Sequence, residues 1–100
     1  MKGAQRRQLR GLAHSLKPII QVGHGGVTDM LVQQLATALY DHELVKVRVL
    51  NNFDGELEEV AEALTKATES ACVQQIGHIL LFYKANPDKP VIELVKSQES

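Results

Sequence analysis

A single cysteine, Cys72, in 100 residues leaves the chain without an internal disulfide, which fits a reducing compartment. Aromatic residues are scarce too: Tyr40, Phe53, Phe82 and Tyr83 are all there are. A surface so poor in rings is ill-equipped to stack a run of splayed single-stranded bases. No apolar run approaches the ~18 residues a membrane span needs, and the amino-terminal MKGAQRRQLR lacks the apolar centre of a secretory signal. A cytoplasmic protein with no membrane partner is expected. Internal repeats and low-complexity segments are missing, and 44% hydrophobic with 23% charged residues is the composition of one ordinary globular domain. His14, His24, His42 and Cys72 are scattered without the short paired spacing of zinc ligands. There is no nucleophile elbow or triad, and the carboxylates cluster on one exposed helix instead of facing one another. No metal, cofactor or enzymatic activity is expected, so the chain reads as a binding module.

Acidic residues are absent from 1–28, which carry Lys2, Arg6, Arg7, Arg10 and Lys17. The reverse holds for 54–69, where Asp54, Glu56, Glu58, Glu59, Glu62 and Glu69 face one base, Lys66. The near-neutral net charge of −1 therefore hides one positive and one negative surface. Such a molecule meets a polyanion from one side only.

Leu9, Leu12, Ala13 and Leu16 recur at helical spacing, predicting a basic amphipathic helix that stops near Ser15 or Leu16 because Pro18 cannot continue it. PIIQV reads as a short strand, with Ile19-Ile20 implying that both faces are covered. Val27, Met30, Leu31, Leu35, Ala38 and Leu39 mark the stripe of a second helix over 27–41. ELVKVRVL alternates, placing Val45, Val47 and Val49 in the core and Lys46 and Arg48 together on the opposite face. NNFDG is turn chemistry, with Asp54 the expected N-cap of a third helix reaching about Ser70. ACVQQIGHILLFYK closes the domain as two strands joined near Gly77-His78, with Val73, Ile76, Leu80 and Phe82 inward or paired. Beyond Lys84, Val91, Ile92 and Leu94 can dock a short segment, and 96–100 are expected to form a disordered tail. The order α-β-α-β-α-β-β with right-handed crossovers predicts an α/β two-layer sandwich, about four strands in a mixed sheet with the helices mainly on one face.

Gly23-His24-Gly25-Gly26 joins the first strand to the second helix. Glycine lets a ligand approach the backbone, and the unsatisfied N–H groups of a helix start favour anions, phosphate above all. The loop matches neither the nucleotide-triphosphate nor the dinucleotide pattern. As a bare pattern it is equally well a tight turn. Beside Arg6, Arg7, Arg10, Lys17, Lys46 and Arg48 it suits a polyanion with spaced phosphates, and structured RNA read by shape and backbone fits best. The alternative is a protein-interaction module docking a basic partner through the acidic helix 54–70.

LRGLAHSLKPIIQVGHGGVTDMLVQQLATALYDHELVKVRV followed by QQIGHILLFYK closely resembles the CRM domain, the RNA-binding module of chloroplast splicing factors, in its stand-alone bacterial YhbY-type form. The likeness spans residues 5–85, carried by Lys17-Pro18, Gly23, Gly26, Val27-Thr28, Glu43 to Val47, Gln75-Ile76-Gly77, and Leu81, Tyr83 and Lys84. It implies a single domain over 1–95 with a fold similar to the C-terminal domain of bacterial translation initiation factor three. It also implies RNA as partner, with no DNA, bound by a monomer through the basic surface and the loop, including Gly23, His24, Gly25, Gly26, Thr28 and Lys84. Ribosomal RNA in precursors of the large subunit is the implied target, and ribosome assembly the implied role. One departure stands out: relatives usually carry a polar or basic residue at the two loop positions that are His24 and Gly25 here, so a weaker loop contact is implied.

Overall fold

The structure is a computed structural model, and residues 3–95 are described; the expected tail 96–100 lies outside them. The elements are α1 (Gly3–Ala13), β1 (Ile20–Val22), α2 (Asp29–His42), β2 (Leu44–Val49), α3 (Leu57–Thr68), β3 (Ala71–Ile76) and β4 (Ile79–Tyr83), in the expected order. The four strands form one mixed sheet in the order β1-β2-β4-β3. β1 runs parallel to β2, and β4 is antiparallel to both neighbours. Strands β2 and β3 therefore point the same way. Both β1-α2-β2 and β2-α3-β3 are crossovers, and crossovers of one hand stepping in one direction place α2 and α3 on the same face.

Under those two helices lies the main core, where Leu31, Leu35 and Leu39 of α2 and Val60 and Leu64 of α3 meet Val45, Val47, Val49, Leu80 and Phe82. The alternation of β2 sends its other residues to the second face. There α1 packs Leu9 and Ala13 against Leu44, Val73, Leu81 and Tyr83, with Ile92 and Leu94 from the C-terminal segment. The α/β sandwich with helices mainly on one face is thus the observed fold. α1 covers only part of the second face.

Several local expectations are corrected. α1 ends at Ala13, because i→i+3 bonds from His14 N to Gly11 O and Leu16 N to Ala13 O tighten its exit before Pro18. Leu12 and Leu16 are consequently exposed. Ile19 is 57% exposed, since β1 is an edge strand buried on one face only. Met30 is 70% exposed on the rim of α2. The N-cap of α3 is Glu56 and not Asp54, with the Glu59 carboxylate accepting from the Glu56 N–H at 3.3 Å. The cause is Phe53, whose ring lies so close over Gly55 that a Cβ there would sit 2.7 Å from it. Residues 53–55 are thereby committed to the loop.

A polar latch holds the C-terminal segment. Glu43, only 1% exposed, closes α2 at φ 63° and turns its carboxylate inward. Oε2 accepts from Asn86 N at 2.6 Å, and Oε1 accepts from Val91 N at 2.8 Å and Ile92 N at 2.6 Å. Asn86, also buried, donates from Nδ2 to Tyr40 O at 2.7 Å and accepts from the N–H groups of Asp88 and Lys89. Farther along, Gln8 of α1 donates to Glu93 O and accepts from Val95 N. Ile92 and Leu94 dock as expected, while Val91 stays exposed.

Candidate nucleic-acid interface

Because Val45, Val47 and Val49 turn under α2 and α3, Lys46 and Arg48 emerge on the face that α1 shares. Lys46 reaches the connector that follows α1, where its Nζ donates to Leu16 O at 3.0 Å and fastens the approach to β1. Lys17 follows at that corner, exposed. Arg10 projects toward the same cleft as Lys46. Arg7, Arg10 and Arg48 make no hydrogen bond or ion pair among the described residues, so their guanidinium groups are available to a ligand. Arg6 differs: half-buried, it donates from Nη1 to Val73 O at 3.2 Å and ties α1 to β3.

α3 lies across the sheet, with Glu58, Glu59 and Glu62 exposed. Glu62 meets Lys66 at 3.9 Å, an exposed i,i+4 pair of little energetic weight. The charge segregation along the chain is therefore a segregation in space, with the sheet between the two signs.

The glycine loop stands at one end of this face. Gly26 N donates to Gly23 O at 2.9 Å, closing a tight turn. Gly26 has φ 69°, a conformation strained for any residue with a side chain, and a Cβ there would lie 3.4 Å from the Phe53 ring, so glycine is favoured. Gly25 is otherwise: its φ is not positive, and a Cβ would meet only Thr28 Cγ2 at 3.9 Å. Thr28 is the N-cap of α2, its Oγ1 accepting from Leu31 N at 3.1 Å. Asp29 occupies the first turn and competes with any anion for the helix end. Gly23, Gly26 and Thr28 build the turn, and His24 and Gly25 form its exposed tip.

Backbone bonds from Leu50 N to Val22 O and from Val49 N to His78 O bring the loop, the 50–56 connection and the β3–β4 turn to that end. Lys84 is at the other. Its N–H donates to Glu43 O, and its Nζ caps α3 by donating to Thr68 O at 2.9 Å. About 17 Å of β2 separates it from the loop.

Three titratable groups are shifted, among them Tyr83, whose hydroxyl is pushed up by burial and by the nearby Glu43 charge. Burial pushes the Cys72 thiol up, outweighing the Gln74 carbonyl bond and the nearby Arg6 charge, which leaves a poor nucleophile. Burial also acts to raise the Glu43 carboxyl, but the N–H groups of Asn86, Ile92 and Val91 together hold it below its ordinary value of 4.5. No group of three or more His, Cys, Asp or Glu residues able to hold a metal occurs among the described residues. No helix there is long and apolar enough to cross a membrane. His14, Gln74, Ile76 and Ile79 flank Arg10 and Lys46, a grouping that the sequence does not show. They come from α1's exit and two distant strands, and no local pattern unites them.

Comparison with known proteins agrees with this architecture. Residues 1–84 match the family model described as the CRS1 / YhbY (CRM) domain. "Probable RNA-binding protein YqeI" of Bacillus subtilis is 47% identical over 94 residues, covering 94% of this chain and 98% of its own. A Haemophilus influenzae protein named "RNA-binding protein" is 34% identical over 87 residues, 87% of this chain and 88% of its own. Among solved structures, SAV1595 of Staphylococcus aureus, a hypothetical protein proposed to bind RNA, superposes with a TM-score of 0.78 at 40% identity, over 95% of this chain and 99% of that one.

Proposed function

Since the chain belongs to the CRS1 / YhbY (CRM) domain family, we propose that it binds structured RNA, and specifically ribosomal RNA in precursors of the large subunit, as a monomeric cytoplasmic assembly factor that acts by binding and not by catalysis. The observation that carries this reading is the convergence of Arg10, Lys46 and Arg48 on one face of the sheet, with the exposed acids of α3 on the other. Spaced phosphates engage the first surface and are repelled by the second. The loop tip at His24-Gly25 adds a contact at the end of that face.

Affinity for a structured RNA is expected to fall steeply with salt, by roughly one unit of log–log slope per neutralised phosphate. In sucrose gradients of cell extract the protein is expected to travel with pre-large-subunit particles at low salt and to leave them as salt rises. Recovery only at the top of the gradient at every salt would sink the assembly role. Neutralising Glu58, Glu59 and Glu62 is expected to leave that association unchanged; its loss would favour docking of a basic partner by the acidic helix.

The loop offers a cleaner test at Gly25 than at Gly26. Gly26→Asp is expected to cost about 1–2 kcal/mol through left-handed strain alone, which confounds any binding loss. Gly25→Lys is expected to raise RNA affinity about threefold, and Gly25→Asp to lower it about as much, both without moving the melting temperature. Equal affinity in all three proteins would make the tip a bystander.

A further inference from the structure

Between the exit of α1 and the open part of the sheet lies a cavity of about 140 Å³, lined by the buried Leu81, by Ile79 and the exposed Ile76, and by Arg10, His14, Lys46 and Gln74. We infer that this cavity is a slot for one unpaired nucleobase turned out of an otherwise paired RNA. The inference rests on the RNA-binding reading above and adds to it a specific element of the ligand.

Size is the first argument, because pockets for drug-sized ligands span ~300–1,000 Å³ and this one suits a single planar ring system. The apolar lining is the second. Three aliphatic side chains cannot solvate an anion, so a phosphate does not belong against them, but they accept the faces of a base. Ile76, at 62% exposure, carries that apolar surface out to the mouth. The polar lining is the third argument. No carboxylate lines the cavity. His14 and Arg10 present planar groups of the kinds on which extruded RNA bases stack. Gln74 brings an amide that both donates and accepts, as reading a base edge requires. Lys46 spends one N–H on Leu16 O and keeps two for the flanking phosphate. The surrounding exposed surface lacks aromatic platforms for a run of bases, so the slot takes one.

Extrusion is cheapest where the base is already unpaired, which makes a single-nucleotide bulge the natural probe. Binding is measured to three RNA hairpins that share one stem: fully paired, with one bulged adenosine, and with an abasic residue at the bulge. The native protein is expected to prefer the adenosine bulge about tenfold over either control. His14→Ala and Gln74→Ala are expected to abolish that preference while binding the paired hairpin as the native protein does; neither side chain makes a hydrogen bond among the described residues, so the fold should persist. Equal affinity for all three RNAs, or an abasic bulge as good as the adenosine, would overturn the slot while leaving RNA binding intact. Failure to bind any of them would overturn the RNA reading and the slot with it.

Discussion

Glu43→Gln is expected to lower the melting temperature by about 15 °C at neutral pH. The carboxylate accepts three backbone N–H groups at 2.6–2.8 Å while 1% exposed. A glutamine of the same shape keeps one acceptor oxygen for Val91 N and Ile92 N but turns an NH₂ toward Asn86 N, leaving that donor unsatisfied. Hydrogen bonds to a charged group and the penalty for the orphaned donor together amount to about 3 kcal/mol. The same carboxylate gives a pH signature of definite sign. Its pKa in the folded protein is below the ordinary 4.5, so its contribution is complete above that value and is lost as pH falls through the folded pKa. Thermal melts of native protein and variant should therefore draw together as pH is lowered below 4.5. Parallel curves at every pH would show that the charge is not what latches the C-terminal segment.

Arg10→Glu combined with Arg48→Glu is expected to weaken binding to structured RNA about a hundredfold at low salt and to flatten the salt slope by about two units. Neither guanidinium bonds to the protein among the described residues, so the fold should melt almost unchanged. Lys84→Glu is the control. It stands at the far end of β2 and holds the Thr68 carbonyl, so its reversal should lower stability and spare RNA affinity. A double variant that binds like the native protein, with Lys84→Glu losing affinity, would move the interface to the other end of the sheet.

The seven elements were legible because each has its own period: α2 and α3 show apolar stripes, and β2 alternates so cleanly that Lys46 and Arg48 could be placed on one face. The opposition of basic α1 and acidic α3 followed from the runs of like charge. Glu43 was not legible, since a glutamate between a helix and a strand reads as solvated. Its burial depends on a segment more than forty residues downstream. Asp54 and Glu56 both follow turn residues, and only the Phe53 ring over Gly55 decides between them. Ile19 and Met30 keep the right local period and are exposed because they flank the edge strand, a fact of strand order and not of spacing. At the interface, the cations and the loop could be named singly. Their gathering with His14 and Gln74 required the path of α1 across the sheet.

Gln8 of α1 bonds residues 93 and 95, so the last described residues lie against the first helix of the fold. A fold whose last segment returns to its first helix can be carried within a longer polypeptide without its flanks being pulled apart.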